Sequence, residues 1–141
     1  DALDDDWTYV VVGAASGGVW KSTNGGTTWT TIFDQYGSAS IGAVRIFQKN
    51  KDLIWVGTGE SWGRNSAAWG DGIYKSMDAG KTWSNVGLRD SRQIGRVRHR
   101  LDRRCHRVLR ERVHPARRLG VHPLGRVEVL YLAGDDRFEV Q

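Results

Sequence analysis

The apolar positions of this chain gather in short runs separated by polar and turn residues. "IGAVRIF" (41–47), "LIWVGTG" (53–59), "GIYKS" (72–76) and "TWSNVG" (82–87) are such runs, and each reads as a short strand. Gln48 to Asp52 reads as a polar turn between the first two. Upstream, "TYVVVGA" (8–14) and "GVWKS" (18–22) read as the last part of a preceding unit of the same kind.

The pattern repeats. A shift of 54 superposes Gly18 on Gly72, Val19 on Ile73, Trp20 on Tyr74, Lys21 on Lys75 and Ser22 on Ser76. It also superposes Asn24 on Asp78, Gly26 on Gly80, Thr28 on Thr82 and Trp29 on Trp83. A shift of 53 brings "SIGAV" (40–44) onto "QIGRV" (93–97). Four short antiparallel strands per unit of about fifty residues suggest the blades of a β-propeller. The expected fold is all-β, a partial propeller of about two four-stranded antiparallel blades.

The repeated turn has its own chemistry. Ser76 ends one strand and Trp83 lies in the next, so the residues between them reverse the chain. A carboxylate at Asp78 can accept hydrogen bonds from the backbone of its own turn, and Asn24 can do the same without charge. Gly80 supplies positive φ, and Thr82 restarts the extended backbone. Trp83 is expected to bury the base of its own hairpin.

Ser-x-Asp-x-Gly-x-Thr-Trp is the Asp-box, or BNR repeat. "SMDAGKTW" (76–83) matches it in full, and "STNGGTTW" (22–29) matches with Asn24 in place of Asp. Residues 41–97 resemble the N-terminal blades of large bacterial proteins of the sortilin-like or BNR-repeat glycosyl hydrolase kind. In these, "VGTGE", an inserted loop, "GDGIYKS", the Asp-box, "VGL" and "IGRV" follow in this order. The resemblance spans roughly residues 7 to 97. It implies that Ser22, Asn24, Gly26, Trp29, Ser76, Asp78, Gly80 and Trp83 are structural and lie on the blade periphery, so no catalytic residue is carried over. It also implies a secreted or periplasmic parent whose propeller face binds a polypeptide or a glycan, with the remaining blades as partners. The alternative is part of a sialidase- or xyloglucanase-like glycoside hydrolase whose catalytic residues lie outside this chain. The arginine triad and Arg–Ile-Pro stretch of sialidases are not found, and Tyr9, Tyr36 and Tyr74 read as structural.

The loop "GESWGRNSAAWGDG" (59–72) stands where the first repeat has only "GAASGG". Long loops on a rigid scaffold carry function disproportionately. Glu60, Trp62, Arg64, Asn65 and Trp69 are the candidate binding residues, since indole faces stack on sugar rings or apolar ligands and the others give directional hydrogen bonds. The competing reading packs Trp62 and Trp69 onto the blade. "GGVWKSTNGG" lacks phosphate-loop spacing. The four His, seven or eight apart, and the lone Cys105 do not have zinc spacing, so neither metal nor cofactor is expected.

Charge divides the chain. Residues 1–88 hold seven cations and nine carboxylates, net −2, with all seven Trp. Residues 89–141 hold fourteen Arg, no Lys and seven carboxylates, net +7. Two units are therefore expected: incomplete propeller blades over 1–97, and an irregular or part-helical Arg-rich segment over 98–141, with "LDRRCHRVLRERV" (101–113) as its helix. Two readings of that segment stand open. As a genuine basic tail it contacts nucleic-acid phosphates. Alternatively it is GC-rich coding sequence read out of frame, which yields Arg, His, Pro, Val, Leu and Gly but hardly any Lys. No signal peptide or membrane span is visible. Two blades cannot close a ring, so a marginally folded unit with exposed strand edges is expected.

Overall fold

The computed structural model describes residues 1–60 and 68–99, together with the backbone of 121–122 and 125–133. All of its regular elements among these residues are strands. They are β1 (Val10–Ala14), β2 (Gly18–Ser22), β3 (Thr30–Thr31), β4 (Ile41–Phe47), β5 (Asn50–Thr58), β6 (Ile73–Ser76), β7 (Ser84–Gly87), β8 (Ser91–His99), β9 (Val121–His122) and β10 (Gly125–Ala133). They form three antiparallel sheets, ordered β1-β2-β3, β4-β5-β6-β7 and β8-β10-β9.

The second sheet is the four-stranded unit read from the sequence, with two changes at its turns. Asn50 already pairs with Phe47, so the turn is only Gln48 and Lys49, and β5 starts at Asn50 rather than Leu53. Asn50, Lys51 and Asp52 are polar and exposed, which hides them from a side-chain pattern, but ladder hydrogen bonds are made by the backbone. At the other end β7 begins at Ser84, because the Thr82 N–H is held by the Asp78 carboxylate instead of a neighbouring strand. The first sheet has three strands, not four; beyond β1 only an isolated bridge, Ala2 to Val10, continues the ladder.

The Arg-rich end differs from expectation. Residues 121–122 and 125–133 are strand, and β10 pairs along β8 from Val127–His99 to Ala133–Ser91. "GRVEVLYLA" alternates β-branched and polar residues at its start and continues apolar, a strand pattern that the surrounding arginines obscured. The expected helix over 101–113 lies outside the described residues. β8 itself runs across the change of composition at residue 97.

The sheets stack face to face, and the order of stacking is the same each time. Val11 and Val19 of the first sheet, with Phe33 after β3, pack on Ile46, Ile54, Val56, Tyr74 and Trp83 of the second. The opposite face of the second sheet, Leu53, Trp55 and Ile73, packs on Ile94 and Val97 of β8. β4 lies against both β1 and β8. Alternation along each strand therefore serves two different neighbours, which is why β5 is buried continuously from Leu53 to Thr58.

Candidate functional site

Three features are built around the second sheet: the two repeated turns, an open groove between them, and the stem of the 59–72 loop.

In the first turn, Ser22 Oγ accepts from the Gly26 N–H (2.8 Å) and donates to Asn24 Oδ1 (2.9 Å). Asn24 Oδ1 also accepts from the Thr28 N–H (2.9 Å), and Asn24 Nδ2 donates to Thr28 Oγ1 (2.9 Å). In the second, Ser76 Oγ accepts from the Gly80 N–H (2.8 Å) and donates to Asp78 Oδ1 (2.8 Å). Asp78 Oδ1 accepts from the Thr82 N–H (2.9 Å), and Oδ2 accepts from the Thr82 hydroxyl (2.6 Å). The Thr82 hydroxyl above all, then its N–H, holds the Asp78 carboxyl down at about 2. A general acid needs the opposite shift. Gly80 has φ +87°, and a Cβ there would come within 2.6 Å of Ile32 Cδ1, so the turn fits closely against the first sheet.

The two tryptophans differ. Trp83 is buried, and it has partners in the segment that follows β3. Its indole N–H donates to the Ile32 carbonyl (2.7 Å), its backbone N–H donates to Tyr36 Oη (3.2 Å), and its ring meets Phe33 edge-on at 5.3 Å. Tyr74 meets Phe33 edge-on from another side at 5.0 Å. Trp29, in the same position of the first turn, is exposed. Tyr9 is also structural in its contacts: its hydroxyl donates to the Lys51 carbonyl (3.1 Å), and burial pushes it up to about 12.

An open groove of about 680 Å³ runs between the two turns, lined by Lys21, Thr28, Thr30, Asp34, Tyr36 and Lys81 among others. Lys21 Nζ crosses it to donate to the Ala79 carbonyl (2.7 Å). Burial, followed by the nearby Lys81 charge, lowers the Lys21 ammonium from its ordinary value.

The loop stem sits where all three sheets meet. Thr58 Oγ1 accepts from the N–H groups of Asp71 (2.8 Å) and Gly72 (3.0 Å) and donates to the Gly72 carbonyl (2.8 Å). The Asp71 carboxylate accepts from the Tyr74 hydroxyl (2.5 Å) and the Ser38 N–H (3.3 Å). The hydroxyls of Ser38 and Ser40 hold the carbonyls of Trp69 and Ala68 at 2.8 and 3.2 Å. On the far side the Gly70 N–H donates to the Arg92 carbonyl (2.8 Å). These anchors fix the backbone of Trp69, a residue that is 63% exposed and whose ring carries the Arg92 guanidinium 4.4 Å from its centroid. Glu60, by contrast, is buried at the foot of the loop, its N–H donating to the Ala68 carbonyl. The structure thus brings Glu60 and Trp69 to one stem; Trp62, Arg64 and Asn65 lie outside the described residues. Thr58, Ser38, Ser40 and Arg92 went unnoticed in the sequence, where isolated Ser, Thr and Arg carry no distinguishing pattern.

Among the described residues no three His, Cys, Asp or Glu side chains cluster as metal ligands, and no helix is long and apolar enough to cross a membrane. No protein-family model and no curated protein matches the chain. Among solved structures it is similar to a GH74 enzyme from Niastella koreensis, at 24% identity over 66% of this chain, with a TM-score of 0.46. The chain spans 14% of that enzyme's length.

Proposed function

We propose that this chain supplies consecutive blades of an Asp-box β-propeller, a non-catalytic scaffold that binds a glycan on the stem of the 59–72 loop. The observation that carries the reading is the pair of turns at 22–29 and 76–83, matched in the bonds of their serine Oγ and acceptor Oδ1 and placed on consecutive sheets that stack in the same sense. A rigid stack of such sheets presents the loops of one edge together, and among the described residues of this loop Trp69 is offered there to solvent on an anchored backbone. An exposed indole backed by a guanidinium is an apolar plate with directional donors beside it, the composition that recognises the face of a sugar ring.

The test is a titration of the whole chain with neutral oligosaccharides, sialylated oligosaccharides and unstructured peptides, followed by tryptophan emission. The expected result is saturable quenching by a glycan, weakened about tenfold or more in Trp69→Ala. Peptides binding where sugars do not would make the ligand a polypeptide. No binding at all, or equal binding by Trp69→Ala, would overturn the site.

A further inference from the structure

The acceptor position of the repeated turn is Asn24 in one copy and Asp78 in the other, and the residue after Asn24 is glycine. Of the four asparagines in the chain only this one precedes a glycine; Asn50, Asn65 and Asn85 precede Lys51, Ser66 and Val86. The side-chain amide of an asparagine is open to attack by the backbone nitrogen of the next residue, and a glycine there puts no Cβ in the way. Asn24 and Gly25 are both exposed, and a Cβ built on Gly25 would meet nothing within 4 Å. The turn also prepares the amide. Asn24 Oδ1 accepts from the Ser22 hydroxyl and from the Thr28 N–H, each at 2.9 Å. Those two donors stand where negative charge develops when the amide carbon is attacked. One contact holds the nucleophile back, the Gly25 N–H donating to the Thr8 carbonyl (3.0 Å). A single backbone hydrogen bond slows the attack by about two- to tenfold and does not stop it.

We propose that Asn24–Gly25 is a self-modification site, at which Asn24 passes through a cyclic imide to aspartate and gives the first turn the carboxylate of the second. In the first step the Gly25 nitrogen bonds to Asn24 Cγ and the Cγ–Nδ2 bond breaks. Nδ2 leaves as ammonia with the proton that the Gly25 nitrogen gives up. In the second step water adds at Cγ and the bond from Cγ to the Gly25 nitrogen breaks. One proton of that water returns to the Gly25 nitrogen, and the new carboxylic acid ionises. Opening at the main-chain carbonyl instead gives an isoaspartyl linkage. The donors on Oδ1 act at Cγ in both steps, so the folded turn favours the aspartyl product. That product has its partners in place. The Thr28 hydroxyl now accepts from Asn24 Nδ2 (2.9 Å), and it can turn to donate as the Thr82 hydroxyl donates to Asp78 Oδ2 (2.6 Å). A hydrogen bond to a carboxylate is stronger than one between neutral groups. The inference uses only the chemistry of one turn, so it stands or falls separately from the glycan reading.

The experiment incubates the full chain in warm neutral buffer beside a guanidinium-unfolded sample, and digests both with trypsin at intervals. The fragment Ser22–Arg45 holds Asn24 as its sole asparagine, and mass spectrometry follows its conversion from amide to acid. Fragment ions locate the change, and methylation by an isoaspartyl methyltransferase counts the isoaspartyl product. The folded chain is expected to convert within about tenfold of the unfolded rate, with a larger aspartyl share than the unfolded sample. Gly25→Ala should suppress conversion in both samples. A folded chain that converts far more slowly than this is locked by the Thr8 contact, and the proposal fails. An isoaspartyl share equal to that of the unfolded sample overturns it too, as does conversion undiminished in Gly25→Ala, which would be direct hydrolysis. Asn24→Asp gives a second measurement. It should melt at or above the Tm of the parent at neutral pH; a lower Tm means that the first turn has no place for the carboxylate and sinks the idea.

Discussion

Residues 22–29 and 76–83 form nearly the same turn, with the same serine, the same acceptor oxygen and the same threonine N–H at distances that differ by 0.1 Å or less. Their tryptophans nevertheless live in different surroundings, 40% exposed in one case and 7% in the other. The hydrogen bonds are local and are satisfied by the turn alone. The burial is supplied by a neighbouring sheet. Comparing the two turns therefore separates what the motif does for itself from what stacking adds, and each half can be broken independently.

The largest expected effect is on stacking. Trp83→Ala removes the ring that meets Phe33 and the donor to the Ile32 carbonyl, and should cost about 3–5 kcal/mol. Trp29→Ala removes the same residue from the same turn, where it is 40% exposed and rests against Gly26 with no neighbouring ring, and should cost clearly less, about 1–2 kcal/mol. Thermal or urea melts of the two variants check the ratio. Equal losses would mean that the tryptophan acts within its own hairpin, and that the sheet-to-sheet contact contributes little.

That contrast also marks how far the sequence could be read. The strands of the second sheet were legible because each run of apolar residues ends at a turn, and β4 was found residue for residue at 41–47. The turn chemistry of Asp78 was legible because it is closed within a few residues. The fate of Trp83 was not, since its partner Phe33 lies fifty residues away and nothing in the motif names it. The loop stem was half legible. Its length announced it, but its anchoring depends on Thr58, Ser38 and Ser40, residues ordinary enough to stand anywhere. β10 was missed because arginine count outweighed a local alternation.

A smaller effect separates the turns by charge. Asp78 is held down at about 2 by the Thr82 hydroxyl and N–H, against an ordinary value of 3.8. A carboxyl whose pKa is depressed on folding adds stability above its unfolded value, and that contribution is lost as pH falls through its folded value. The window is therefore roughly pH 4 down to 2. Asn24, which accepts the matching threonine N–H in the first turn but donates to the Thr28 hydroxyl where Asp78 accepts from that of Thr82, has nothing to titrate. Melts at stepped pH should fall more steeply for the parent than for Asp78→Asn across that window. Other titrating groups are common to both chains and cancel. Coincident slopes would show that the Asp78 bonds are no better in the folded chain than in the unfolded one.

The smallest effect isolates the backbone. The residue after the acceptor is left-handed in both turns, Gly25 at φ +67° and Ala79 at φ +60°. Glycine takes this conformation freely, whereas a Cβ costs about 1–2 kcal/mol. Part of that is offset because glycine also loses more freedom on folding. Ala79→Gly should then stabilise the chain by about 0.5–1 kcal/mol, leaving its backbone contacts to Asp52 and Lys21 in place. Gly25→Ala is the mirror experiment and should destabilise by a similar amount. A Cβ at Gly25 would meet nothing within 4 Å, so no steric contact contaminates the reading. Opposite signs of similar size in calorimetric melts would mean that the second turn carries strain the first does not. That strain is tolerated because stacking holds the second turn from outside, through the Ile32 contact and the Lys21 bond that the first turn lacks. If Ala79→Gly is neutral or destabilising, the Ala79 methyl group is itself part of that outside hold, and the two turns differ in packing at every level.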